Sequence, residues 1–200
     1  MTRSYHHGNL RNELIQAARV IVERDGHELV SLRGIVEELQ VSRGAPYRHF
    51  SDRSALLAEV AILGFQELEM IRRKCEALPM DDLGRLKAAL RGFFSFVDAH
   101  PRMFILIYEG GLLEEPGRYP EIDECQKQIY DNHFRMLGAA VPHLDARERR
   151  LRMISLWATS YGYAKIRQLK MLQPYMVKAL SWSEIENAVL KSAIGLTPHN

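Results

Sequence analysis

The sequence predicts an all-α chain, and three observations carry that prediction. Apolar residues return at three- and four-residue steps from Leu10 to Leu196, no stretch alternates polar and apolar residues with the period of two that a strand requires, and Gly, Pro and acidic clusters punctuate the runs. With 200 residues, 46% of them apolar and 26% charged, the composition is that of an ordinary globular chain with room for one large or two small domains.

Leu10, Leu14, Ala18, Ile21 and Val22 line one face of a first helix that Asp25-Gly26 ends. Ser31 precedes Leu32, Ile35, Val36 and Leu39, again at helical steps, and its hydroxyl is placed to cap the free amides of a short second helix. Only Leu39 to Ser42 separates this from the next start, so the chain must reverse sharply, with Val41 buried under the turn and Ser42 capping a third helix through Phe50. Gly44 and Ala45 keep the start of that helix slim, which lets backbone approach base edges, while Arg43, Tyr47, His49 and Arg53 reach outward. Pro46 is tolerable near a first turn, where few amides have a helical partner, and it stiffens the same edge. Two short helices crossed through a tight turn are the shape in which a helix-turn-helix lays its second helix into the major groove.

A long fourth helix runs from Arg53 to about Cys75 with Leu56, Val60, Leu63 and Leu68 inward, and stops near Pro79 and Asp81. Helices follow from about Asp82 to Ala99, from His100-Pro101 through MFILIYEGG, and, after a loop at 112–120, from about Glu121 to Ala140. Asp145 with Glu148, and Ser181 with Glu184, have the spacing of capping boxes; they open a helix reaching about Leu172 and a final helix. The former carries Leu151, Ile154, Trp157 and Tyr161 besides Met153 and Leu156, more faces than one neighbour covers. Two such helices can pack on their counterparts in a second copy as a four-helix interface closed by two-fold symmetry.

From about Asn9 to Leu57 the chain resembles the DNA-binding domain of the TetR family of bacterial transcription regulators, with LRNELIQAARVIVERDG, SLRGIVEELQ, VSRGAPYRHF and SDRSALLAEVA as its successive helices. The resemblance implies an N-terminal three-helix helix-turn-helix domain at 1–55 and a helical effector-binding and dimerisation domain at 56–200. It places DNA contacts on Ser31, Arg33, Ser42, Arg43, Gly44, Ala45, Tyr47, His49 and Arg53, with Pro46 on the same edge. It further implies a homodimer, joined through the last two helices, that represses from a palindromic double-stranded operator and responds to a small-molecule effector. A DNA-binding regulator without an effector and a helical enzyme or carrier are the alternative readings.

Four positions depart from the family's pattern. Leu39 and Gln40 stand in the turn where a small residue and glycine are usual, and a non-glycine residue in a left-handed turn costs roughly 1 kcal/mol. Pro46 replaces an aliphatic residue, and Asp52 sets a carboxylate beside Arg53, where it reads as a helix cap. Farther on, FFSFVDAHPRMFILIY and LWATSYGYA resemble the Trp-His-Gly type of effector domain, with Tyr161 in the histidine's place between Trp157 and Gly162. Phe94, Met103, Phe104, Tyr108, Phe134, Trp157 and Tyr161 are candidates for lining an apolar effector cavity; taken singly, the same side chains read as core.

Residues 1–60 hold eight Arg and eight acidic residues, so the chain's net charge of +2 does not arise there. Positive charge is local instead: Arg3 and Arg11 stand without an acid in residues 1–12, and Arg43, Arg48 and Arg53 face Asp52 alone in 42–53, the clustering that a small phosphate-contacting surface requires. His6 and His7 are adjacent, point apart and make a poor chelate; an N-terminal arm touching the minor groove is the more useful reading. Cys75 and Cys125 lack CxxC spacing and read as reduced thiols, so neither a metal nor a cofactor is expected. GxSxG, Walker, GxGxxG and HExxH motifs are absent, which argues against an enzyme. The start, MTRSYHHGNLR, lacks the apolar core of a secretory signal, and no apolar run approaches the roughly 18 residues that span a bilayer; a cytoplasmic chain with no membrane partner is expected.

Overall fold

The computed structural model describes residues 9–195; Arg3, His6 and His7 of the N-terminal arm, and Leu196, lie outside them. The described residues form α1 (Leu10–Asp25), α2 (Leu32–Leu39), α3 (Arg53–Glu76), α4 (Asp82–Ala99), α5 (Pro101–Glu109), α6 (Pro120–Ala140), α7 (Ala146–Gln168) and α8 (Trp182–Ile194). Short 3-10 segments stand at His27–Leu29 and Pro46–Arg48, and no strand occurs among the described residues. The chain is all-α, as its periodicity predicts.

The helices gather into two compact units. The first takes residues up to Glu67 together with His100–Gln126, so its boundary falls within α3 rather than at its start. In it α1 buries Leu10, Leu14, Ala18, Ile21 and Val22, the five positions expected, and packs on α2 and α5. A Cβ at Gly64 of α3 would lie 2.7 Å from Ile107 Cδ1 and 2.9 Å from Met103 Cγ, so the missing side chain is what lets α3 and α5 approach. At the start of α5, His100 Nδ1 lies 2.9 Å from a Glu23 oxygen and its Nε2 3.3 Å from a Glu67 oxygen, while Arg19 meets Glu67 at 3.0 Å.

The second unit takes Leu68–Ala99 and the described residues from Lys127 onward. Its core joins Leu86 and Leu90 of α4, Met136 and Leu137 of α6, Met153 and Leu156 of α7, and Leu190 and Ile194 of α8. Both predicted capping boxes are formed: Asp145 accepts from the Arg147 and Glu148 amides while Glu148 accepts from the Asp145 amide, and Ser181 and Glu184 repeat the exchange. Helix α7 stops at Gln168, short of the expected Leu172, where Lys170 turns into the left-handed region at φ 54°.

A buried cation organises the α3 segment of this unit. Arg72, 5% exposed, donates to both Glu69 oxygens at 2.8 Å and to Glu76 at 2.6 Å. Hydrogen bonding from Arg72 pulls the Glu69 carboxyl down to about 2, and Asn132 adds a donor at 3.2 Å. The Arg72 guanidinium is bonded to carboxylate on two sides, which is what makes a charge tolerable so far from water.

Candidate nucleic-acid interface

Helix α2 begins as predicted. Ser31 is extended (φ −137°, ψ 137°) and its Oγ accepts from the Gly34 amide at 3.0 Å. The helix ends on Gln40 in the left-handed region (φ 55°, ψ 39°), with the Gln40 and Val41 amides both directed to Val36 O. The reversal therefore takes the conformation that glycine usually supplies, on a residue with a Cβ. Val41 is half-buried rather than buried beneath the turn.

The predicted third helix differs in kind. Residues 42–45 are turn and Pro46–Arg48 is a 3-10 segment. Ala45 N donates to Ser42 O at 2.9 Å, Arg48 N to Ala45 O at 3.3 Å and His49 N to Pro46 O at 2.9 Å. Proline explains the change: an α-helix would direct the amide of residue 46 to Ser42 O, Pro46 has none, and the Ala45 amide takes that carbonyl at three-residue spacing. Ser42 accordingly heads no α-helix, and Ala45 precedes the 3-10 segment without a side-chain cap.

This turn sorts the expected contact residues. Ser31, Arg33, Ser42, Arg43, Gly44, Tyr47 and His49 are exposed, Tyr47 by 63%, and Ala45 is half-buried. Arg33 is exposed but shared with Glu37 at 3.1 Å, an i,i+4 pair. Pro46 is buried and presents no surface to DNA; it shapes the edge from beneath. Arg53 also faces inward: its Nε donates to Val30 O at 2.7 Å and its Nη2 to His27 O, so the guanidinium fastens the entry to α2 instead of reaching outward. Sequence reasoning missed that exchange because both acceptors lie more than 20 residues away in the chain. It also left out Arg48, which stands exposed beside Tyr47. The signal for Arg48 was already in the basic cluster of residues 42–53. Asp52 caps α3 as expected, accepting from the Ala55 amide at 2.8 Å.

The effector candidates divide between the units. In the first, Met103 and Phe104 are fully buried and Tyr108 meets the Phe104 and Phe65 rings at centroid distances of 5.1 and 6.5 Å. In the second, Phe94 is buried edge-on against Tyr163 at 4.9 Å, and Phe134 stacks on Tyr130 at 5.8 Å. Tyr161 is half-buried, whereas Trp157 is 52% exposed. The buried face of α7 is Met153, Leu156, Ser160, Tyr163 and Ala164; residue 157 stands at the edge of that face, about a fifth of a turn from its centre, and half of its surface stays open, so no enclosed cavity holds this ring.

With the reading surface in view, residues 14–60 match the family model described as "Bacterial regulatory proteins, tetR family". Residues 14–60 are a TetR-type DNA-binding domain. Among the relatives of this chain is the HTH-type transcriptional activator FasR of Mycolicibacterium smegmatis, 27% identical over 156 residues that cover 76% of this chain and 68% of that protein. The uncharacterized HTH-type transcriptional regulator YfiR of Bacillus subtilis is 31% identical over 62 residues, 31% of this chain and 30% of that one. Of the solved structures, a Rhodococcus sp. RHA1 protein of unknown function superposes with a TM-score of 0.79 at 26% identity, covering 99% of this chain and 100% of that one. The ketosteroid transcriptional regulator KstR2 of Mycobacterium tuberculosis shares the fold, with a TM-score of 0.61, 18% identity and coverage of 100% and 98%. On these matches the chain is a DNA-binding transcription regulator and not an enzyme. No helix among its described residues is long and apolar enough to cross a membrane.

Proposed function

We propose that this TetR-family chain acts as a homodimer whose two Ser42–His49 segments enter successive major grooves of a palindromic operator, about 34 Å apart. The observation that carries the reading is the exposed run Arg43, Gly44, Tyr47, Arg48 and His49 on a turn anchored from below by buried Pro46 and Phe50. Arg43 and Arg48 supply charge for phosphates or guanine edges, and Gly44, whose added Cβ would meet nothing within 4 Å, leaves room for backbone approach. The last two helices form the dimer contact, α7 through its exposed Leu151, Ile154 and Trp157. Occupying an operator represses whenever the site overlaps the promoter; the relative FasR is named an activator, and operator position decides the sign.

A small-molecule effector would act by preferring one dimer shape, and its influence on DNA affinity is bounded by that preference. Ser160 supports such a site: it is 5% exposed, its Oγ has no hydrogen-bond partner among the described residues, and an orphaned buried hydroxyl costs about 1–3 kcal/mol that a ligand's polar group would remove.

Selection from random duplex DNA followed by mobility shift tests the reading. A two-fold symmetric site bound specifically, with Tyr47→Ala weakening it at least about tenfold at an unchanged melting temperature, is the expected outcome. Failure to retain any specific sequence at moderate salt would sink it.

A further inference from the structure

Arg11 lies in the first turn of α1, outside the helix-turn-helix, in the basic stretch 1–12 that the proposed DNA contacts leave unused. Its Cζ sits 5.5 Å from the centre of the Phe50 ring, and Phe50 directly follows His49, where the proposed reading segment ends. The His49 and Phe50 ring centres are themselves 6.5 Å apart. The guanidinium is therefore within about 12 Å of the His49 ring, no more than about three or four steps along a duplex strand that rises about 3.4 Å per base pair.

Its other neighbour is on α3. Arg11 Nη2 lies 2.5 Å from Glu59 Oε1, so the side chain spans the place where the reading turn passes into α3. The outward cation expected at this junction was Arg53, and Arg53 is engaged by the carbonyls of Val30 and His27. Turning it outward would strand both acceptors, so the inward arrangement is hard to undo.

Arg11 has no such tie. Half of its side chain is exposed, and an ion pair as open as Arg11–Glu59 adds little to stability, so holding Glu59 does not account for a cation here. A guanidinium is a planar fork of donors: with one nitrogen on Glu59, the others keep the geometry that fits a phosphate.

Resting on the reading that Ser42–His49 meets duplex DNA, we infer that Arg11 contacts a backbone phosphate flanking the bases read by that segment, in the place on the surface that Arg53 leaves empty. Glu59 and Phe50 are its positioning residues: one orients the fork, the other carries its face. A phosphate contact fixes register and adds strength without discriminating sequence.

Salt dependence separates this role from a purely structural one. Fluorescence anisotropy follows the full chain binding to the operator recovered by selection and to a duplex of arbitrary sequence of about 30 base pairs, between about 50 and 200 mM salt. Arg11→Ala should weaken both duplexes alike, about five- to tenfold for each protomer engaged at about 0.1 M salt, and lower the slope of log K against log salt by about one per protomer. Arg11→Gln, which keeps a stem over Phe50 without the charge, should do the same, and Arg11→Lys should keep most of the slope. Arg24→Ala, about 20 Å away at the other end of α1 and beyond the screening length, should leave the slope as in the parent. Weaker binding with the parent's slope and a lowered melting temperature would make Arg11 a prop for Phe50 and overturn the contact. An unaltered affinity, or a slope that Arg24→Ala lowers equally, would overturn it too while leaving the DNA reading intact. A parent that retains neither duplex removes the DNA reading itself.

Discussion

Arg53 in the first unit and Arg72 in the second, both on α3, are drawn inward by different partners. Arg53 donates to the carbonyls of Val30 and His27, and Arg72 donates to the carboxylates of Glu69 and Glu76. Carbonyls accept at any pH; carboxylates do so at full strength only when ionised. The clamp under the reading surface is therefore indifferent to acid, while the one in the second unit is not.

Removing the ionic clamp should have the larger effect. Arg72→Leu leaves Glu69, whose side chain is 17% exposed, without its cation, and should cost about 3–5 kcal/mol at neutral pH by urea denaturation. Arg53→Ala deletes the donors to two backbone carbonyls and should cost about 2–3 kcal/mol, a loss that stays constant between pH 7 and 4. If both losses shift equally with pH, the contrast between carbonyl and carboxylate partners fails.

Acid titration sharpens the same contrast in the unmodified chain. The Glu69 carboxyl is lowered from 4.5 to about 2, chiefly by the Arg72 hydrogen bond, so the unfolded state binds the proton first. Its contribution is fully present above pH 4.5 and fades as the pH falls toward 2. Glu76 shifts in the same direction for the same reason. Burial lowers His133 from its ordinary 6.5, so it too opposes unfolding above that pH and yields below it. Urea midpoints should fall through pH 4.5 to 2, and Glu69→Gln should flatten that descent; an unaltered slope in the variant would remove Glu69 from the account.

The smallest effect belongs to the turn of the first unit. Gln40→Gly relieves a left-handed residue at φ 55° and should stabilise by about 0.5–1 kcal/mol, read as a raised melting temperature. A neutral or destabilising result would mean that the Gln40 side chain contributes more than its backbone conformation costs.

Much of this architecture was legible in local chemistry. Ser31, Asp52, Asp145 and Ser181 announced their helix starts because a cap needs only residues three or four apart. The two inward arginines were not legible: Arg53 needed the position of Val30, and Arg72 a burial that no i,i+4 pattern conveys. On the reading surface, the identities Arg43, Tyr47 and His49 stood out, but the winding of the backbone beneath them did not. Pro46 was read for its tolerance at a helix start, and its effect three residues earlier, on the carbonyl of Ser42, went unread. For Trp157, aromatic clustering suggested an interior, but at the edge of the buried face of α7 half of its surface stays open.

The Pro46 turn also sets a length. Backbone closed by three-residue bonds advances about 2.0 Å per residue, against 1.5 Å in an α-helix, so the two steps from Pro46 to Arg48 cover about 4 Å instead of about 3 Å. A single absent amide hydrogen thus draws out the backbone that carries Tyr47 and Arg48.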